Sequence, residues 1–396
     1  MSDVDIDVFD LTDPTFEALI ITAGTFKASL PVPNPDVARS VRRIVPLVDV
    51  DPQTGQSVTV PQSICHVYDG RDLWSSYVIW TADLTVDEHG ATSVALQGAE
   101  LRSWLDHRLV DVDVTFTNTD QIEIARQLIL NAQIGWGTWA AAADLGITVE
   151  PGSSGITRDR TYRLSEATST AQRIEELANV EDGFEWRLHT YANPDGGRVR
   201  EWRWGYPMLG GQLGRQVYTL PGNITSLKLT TDITGAGTAY WARGDTNQDD
   251  LTDDSQPLIT PAPWVRADLL ARGWPWLDSV SDHQGVTDPG TLDAYARAYA
   301  GANGGVVRTL TVKVRVPPSG AARFMPARLG DRVRLAAITD YWPPDEDGRP
   351  TFAATPRVVG LKMTPASRGQ GVDLAELVLA DDGAGALIVD PPKAGA

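Results

Sequence analysis

Five histidines, a serine pair and several neighbouring carboxylates are the residues of this chain whose types could do chemistry. His66, His89, His107, His189 and His283 stand far apart. None lies in a His-Glu-x-x-His pattern, which would put two imidazoles on one helix face for a metal. Ser153 and Ser154 belong to Gly152-Ser153-Ser154-Gly155, which lacks the Gly-x-Ser-x-Gly spacing of a nucleophile elbow. Following Pro151, a loop is the plainer reading. There is no glycine-rich loop with a lysine to cradle a nucleotide phosphate. Glycoside hydrolysis needs two carboxyl groups at a set separation in space. Glu175 with Glu176, Glu181 with Asp182, and Asp345 with Asp347 offer adjacency only. With 52 acidic residues in the chain, solvated surface is the ordinary fate of such pairs. No catalytic, cofactor-binding or metal-ligating residue is assigned.

Two further groups need weighing. Asp245, Asn247 and Asp249 alternate like the start of a calcium loop, but the sixth position is Asp250 instead of glycine and the twelfth is Gln256 instead of glutamate. The 245–254 stretch therefore reads as an acidic loop. Trp264, Trp274 and Trp276, with Pro263 and Pro275, could stack on sugar rings, and Trp136 and Trp139 invite the same thought. Burial or subunit contact is the plainer role, since interfaces favour tryptophan. Cys65, the only cysteine, precludes an intrachain disulfide and any multi-cysteine zinc site. Between Ile64 and Val67 it reads as a small buried hydrophobe.

These groups need elements to position them. At 396 residues, 42% of them hydrophobic, the chain has material for two or three domains with ordinary cores. No apolar run approaches a membrane span. The acidic N-terminus lacks the pattern of a secretory signal, so synthesis and folding in a cytoplasm are expected. A net charge of −18 opposes binding to a phosphate backbone and repels nucleic acid passing close by.

Val78, Trp80, Ala82, Leu84 and Val86 alternate with Ile79, Thr81, Asp83 and Thr85 and predict a strand with one buried face. Asp87 to Gly90 is turn chemistry, and Thr92, Val94 and Leu96 resume the alternation until Gly98 ends it. Leu101, Trp104, Leu105 and Leu109 then form the stripe of a short helix. Thr119 and Asp120 are N-cap candidates for a helix with Ile122, Ala125, Leu128, Ile129 and Ala132 inward. A loop is expected over 133–155. Ser169 with Gln172 fits a capping box opening a helix through Ala178. Phe184, Trp186 and Leu188 alternate, 193–197 turns, and Trp202 and Trp204 return. Asp288 and Pro289 open a helix with Leu292, Tyr295, Ala296, Tyr299 and Ala300 on its stripe. Leu310, Val312, Val314 and Val316 alternate as a strand, with further strands at 332–335, 357–363 and 372–379. Prolines 31, 33 and 35 mark a sheet edge or a connector after 26–30. Beyond Ala380 a frayed tail is expected.

In this order the pieces resemble the baseplate hub and tail-tip proteins of long-tailed phages, related to the hub of contractile tails and to the N-terminal part of tail-associated proteins. Gln97-Gly98-Ala99-Glu100-Leu101-Arg102-Ser103-Trp104-Leu105 with Arg108 carries the resemblance where that family closes its first barrel. The helix at Asp120, the stretch from Ser169 to Trp186, Tyr295-Ala296, the 309–316 strand and Leu329-Gly330-Asp331-Arg332-Val333 carry the rest, over nearly the whole chain. The acidic Trp-rich segment at 245–284 has no counterpart.

The resemblance implies an α+β, mainly β fold with two small hub-type β-barrels and a middle α+β domain. The first barrel would span 1–113 and the middle domain 114–215. The second barrel would combine 216–245 and 306–382, with 246–305 inserted and its helix packing on the middle domain; 383–396 would be a flexible tail. It implies a homotrimer whose six barrels form a pseudo-sixfold ring in a virion tail tip assembled in the host cytoplasm. That ring would join the tail-tube protein or distal-tail ring to threefold tip or receptor-binding proteins. The tape-measure protein and DNA would leave through its channel without specific binding, and no stable membrane insertion is expected. A wall-degrading domain is not expected, since the sequence ends just past the second barrel. The alternatives are a carbohydrate-binding or glycan-cleaving protein of the tail tip and a sixfold distal-tail ring subunit.

Overall fold

The computed structural model describes residues 5, 7–20, 22–44, 63–69, 72–135, 137, 143–180, 182–232, 237–245, 256–283, 286–303, 307–316, 329–366, 372–380 and 388–389. The chain forms two compact units: residues 1–174, 184–227 and 311–396, and residues 175–183 with 228–310. The architecture is mainly β with helices, the class the sequence implied.

Strands β1 (Thr12–Leu19) and β2 (Thr25–Val32) are followed by α1 (Pro35–Ile44), β3 (Ile64–Asp69), β4 (Asp72–Val86) and β5 (Thr92–Glu100). The β4–β5 turn forms because the Asp87 carboxylate accepts from the His89 and Ala91 amides at 2.9 and 2.8 Å, while Gly90 takes a positive φ. Two expectations fail here. Gly98 does not end β5 but lies inside it, opposite Ile79, where Trp80 is the extra residue of a bulge in β4. A Cβ at Gly98 would sit 2.4 Å from the Val78 carbonyl oxygen, so glycine admits the close strand approach that a terminator would not need. Leu84 and Val86 are exposed. Among the described residues, β3 pairs β4 from Asp72 to Val78.

The helix expected from Leu101 to Leu109 is a single turn, α2 (Ser103–Asp106), with Leu109 exposed. Next come β6 (Val114–Asp120) and α3 (Gln121–Ala132), which buries the five expected apolar residues. Inside the expected 133–155 loop lies β7 (Ile147–Val149), followed by β8 (Thr157–Tyr162). Helix α4 (Thr170–Ala178) starts where Ser169 Oγ accepts from the Gln172 amide at 3.2 Å. β9 (Glu185–Ala192) and β10 (Arg198–Gly205) form the expected hairpin with Trp186 opposite Trp204, and β7 runs parallel to β10.

β11 (Leu213–Leu220), β12 (Ile224–Asp232) and β13 (Ala239–Arg243) precede β14 (Trp264–Val265), α5 (Ala267–Ala271), β15 (Asp278–Asp282) and α6 (Pro289–Asn303). The chain continues through β16 (Val307–Arg315), β17 (Arg332–Ala337), β18 (Phe352–Ala354), β19 (Arg357–Thr364), β20 (Leu374–Ala380) and β21 (Ile388–Val389). β21 pairs β18, so part of the stretch expected to fray is a strand.

The strand sets expected in two barrels are joined edge to edge. The order is β12-β16-β20-β19-β1-β2-β5-β4-β3, with β1 antiparallel to β19 from Phe16 opposite Met363 to Leu19 opposite Gly360. The second unit is larger than the expected 246–305 insert, since it also holds β13 and residues 175–183. Its sheet, β14-β13-β15, is backed by α6, and Val180, Ala242, Leu292, Tyr295 and Ala296 form its core. Asp288 caps α6 by accepting from the Thr291 amide at 2.7 Å. No described helix is long and apolar enough to cross a membrane.

Candidate functional site

The histidines occupy five separate environments. His66 Nδ1 lies 2.7 Å from Ser76 Oγ, His89 is exposed beside Glu88, and the His107 ring packs 4.5 Å from Trp80. His189 is buried and stacked on Tyr191. Burial first, then the positive charges of Arg187 and Arg203, push its pKa down to about 2, so the ring is neutral at physiological pH. In the second unit His283 stacks on Tyr295 with ring centres 3.8 Å apart.

The serine pair has an architectural partner. Asp120 accepts from Ser153 Oγ at 2.7 Å, from the Gly155 amide at 2.8 Å and from the Ile122 amide at 2.9 Å, fastening the 152–155 loop to the start of α3. Burial opposes ionisation of Asp120, but these hydrogen bonds outweigh it and hold the carboxyl below its ordinary range. Asp345 and Asp347 share a turn in which Asp345 Oδ1 accepts from the Asp347 and Arg349 amides. Burial pushes the Cys65 thiol up to about 12, which suits an inert side chain. Among the described residues no three His, Cys, Asp or Glu gather as metal ligands. Asn247, Asp249, Glu181, Trp136 and Trp139 lie outside the described residues.

Chemistry-bearing side chains do converge around β9, in a structural arrangement. Arg187 Nη2 meets Glu100 Oε1 at 3.4 Å, with only 4% and 5% of the two side chains exposed. Glu100 also accepts from Ser75 Oγ at 3.0 Å and from the Gly24 amide at 2.9 Å. Burial raises the Glu100 pKa against the pull of Arg187, and lowers that of Arg187 against the pull of Glu100. Beside them the Arg102 guanidinium lies 4.9 Å from the Trp186 ring centre. Two residues before Arg187, Glu185 takes Arg357 of β19 in a two-pronged pair, with Nη1 2.6 Å from Oε2, and accepts from the Leu209 amide at 2.9 Å. β9 thus fastens strands of the first set through Glu100 and of the last set through Arg357. Losing one partner of a buried pair costs about 3–5 kcal/mol, because the other charge is left in low dielectric.

In the second unit the aromatic residues form a different kind of surface. Tyr240 and Trp264 face α6: the Tyr240 ring meets Tyr299 edge-on and the Arg297 guanidinium sits 4.7 Å from the Trp264 ring centre. The alternate residues of β13 point the other way, where Trp241 is paired with Val280 and Arg243 with Asp282. This face is open, with Trp276 and Val280 53% and 52% exposed. Both indole nitrogens donate to one oxygen, Asp278 Oδ1, Trp241 at 2.9 Å and Trp276 at 3.1 Å. Arg243 Nε meets Asp282 Oδ1 at 2.6 Å alongside. Trp264 and Trp276 of the sequence group therefore lie on opposite faces, and Trp241 is the member the group lacked. The signal for Trp241 was its alternation with Tyr240 and Ala242, in a strand too short to stand out.

No protein-family model and no curated protein sequence matches the chain. Among solved structures, the 43 kDa tail protein of prophage MuSo2 from Shewanella oneidensis aligns over 94% of both chains, with 10% identity and a TM-score of 0.51. The chain has the fold of a phage tail protein. The tail protein from Neisseria meningitidis MC58 also aligns, over 96% of this chain and 94% of its own, at 14% identity and a TM-score of 0.49. Prophage tail protein gp18 from Listeria monocytogenes EGD-e does so over 96% and 90%, at 12% identity and a TM-score of 0.44. At these identities the likeness is one of fold.

Proposed function

We propose that the chain is the structural hub of a phage tail tip or baseplate. The observation that carries this reading is the likeness of fold to a prophage tail protein along 94% of both chains. In this account three copies associate, and the strand sets of 1–113 and of 216–245 with 306–382 form two barrels per copy. Six barrels make a ring that meets a sixfold distal-tail ring or tail tube on one side and threefold tip or receptor-binding proteins on the other. The tape-measure protein and DNA leave through its centre. The net charge of −18 supports that role, because an acidic lining repels phosphate and lets DNA slide. The buried Arg187–Glu100 pair and the partly buried Arg357–Glu185 pair of β9 support a mechanical part, since they fix the strand sets to one another within the first unit.

The mechanism is geometric and uses no catalytic residue. The dispersed histidines and the capped, loop-bound serines agree with it. The test is gold-labelled antibody against the chain, applied to intact virions of the phage that encodes it. Label confined to the distal end of the tail is expected. Particles that lack the protein, or that carry it on the head, would overturn the proposal.

A further inference from the structure

We propose that the open face of the β14-β13-β15 sheet is a binding site for a neutral glycan, with Trp276 and Trp241 as the stacking platform and Asp278 as the hydroxyl acceptor. The proposal stands independently of the tail-hub reading.

The geometry points to sugar in three ways. An exposed tryptophan normally samples several rotamers, and fixing it costs binding free energy. Here both indoles are already fixed, because Trp241 Nε1 and Trp276 Nε1 share Asp278 Oδ1. A pyranose presents C–H groups on one face and hydroxyls around its edge. The C–H face is weakly positive and suits the negative π-face of an indole, and a hydroxyl can donate to the carboxylate at the rim.

Size argues against a protein partner. β13 and β15 have five residues each, so the face is roughly 17 Å long, and its three strands make it roughly 10–15 Å wide. That is about 200 Å², against the roughly 800 Å² per partner of a stable protein interface. One to three sugar rings fit it. Composition argues the same way: Asp278, Arg243 and Asp282 interrupt the aromatic and aliphatic surface, whereas the cores of protein interfaces are depleted of charge.

Charge selects the class of glycan. A chain of net charge −18, with Asp278 at the centre of the platform, disfavours uronic acids and phosphorylated polymers. A neutral hexose or N-acetylhexosamine oligomer carries no such cost.

The test titrates the full chain with neutral tetrasaccharides, β-1,4-linked N-acetylglucosamine, β-1,3-linked glucose and α-1,4-linked glucose, and with a galacturonic acid tetramer as the anionic control. Tryptophan fluorescence and calorimetry provide the readouts. Saturable binding of at least one neutral oligomer is expected, with a dissociation constant of roughly 0.1–1 mM, and none of the anionic control. Trp276→Ala and Asp278→Ala should each weaken it roughly tenfold or more, equivalent to about 1.4 kcal/mol, with circular dichroism and melting temperature unchanged. Failure of all three neutral oligomers to bind would overturn the proposal. So would binding that Trp276→Ala leaves intact, preference for the anionic tetramer, or a drop in oligomer mass on Trp276→Ala, which would make the face a contact between copies. Loss of glycan binding with the oligomer unchanged leaves the tail-hub reading as it stands.

Discussion

Glu100, Arg187, Arg102 and Trp186 bring a carboxylate, two guanidiniums and an indole together in the first unit, and Asp278, Trp241, Trp276 and Arg243 bring a carboxylate, two indoles and a guanidinium together in the second. The residue types are nearly the same, and water separates their uses. Around Glu100 the groups are buried, every charge has a partner, and removing one strands the other. Around Asp278 the Trp276 ring is exposed, the Trp241 ring is half-buried and the charges are hydrated, so these groups contribute less to folding and can meet a ligand. Similar side chains act as a fastening when dry and as a platform when wet.

The strongest way to break this contrast is Glu100→Ala. It leaves Arg187 buried without its carboxylate, together with the Gly24 amide and the Ser75 hydroxyl. A loss of about 3–5 kcal/mol is expected in urea unfolding, with hydrogen exchange rising in β5 and β9. A loss below about 1 kcal/mol would mean that the pair is not a fastening.

Acid should sharpen the contrast next. Burial holds His189 neutral, with its pKa pushed down to about 2, whereas in the unfolded chain it titrates near 6.5. A group whose folded pKa is depressed leaves stability intact above the unfolded value and erodes it as pH falls toward the folded one. From pH 7 to pH 5 this one ring should cost roughly 2 kcal/mol, at about 1.4 kcal/mol per unit below 6.5. His189→Gln should remove that share of the slope in urea melts at the two pH values; an unchanged slope would contradict it.

Helix caps give a smaller difference. Asp120 binds amides of both α3 and the 152–155 loop, while Asp288 takes one amide of α6. Asp120→Ala is expected to cost about 1–2 kcal/mol and Asp288→Ala about 1 kcal/mol or less, measured by chemical denaturation. The reverse order would show that the loop adds nothing to the cap. The smallest effect belongs to the open face. Val280→Ser should change stability by no more than about 0.5 kcal/mol; a larger loss would mean that the face is covered.

The features that could be read from the sequence are local ones. Asp288 and Pro289 announce α6, Asp120 announces α3, and the alternation at 310–316 gives β16, because caps and periodicities act within a few residues. Gly98 misled because glycine both ends strands and lets them approach closely, and only the partner strand distinguishes the two. Glu100 and Arg187 are 87 positions apart and Glu185 and Arg357 are 172 apart, so no local pattern joins them. Trp241 belongs to a platform assembled from β13 and β15, 37 positions from its acceptor Asp278. The edge pairing of β1 with β19 is equally non-local, and it turns two expected strand sets into one sheet.

The measurement that tests the central claim most directly is native mass spectrometry of the purified chain, alone and mixed with the products of the adjacent tail genes. The account predicts a trimer of the 42.9 kDa chain in at least one of the two samples. A hexamer would assign the chain to a distal-tail ring, and a monomer in both would contradict the hub.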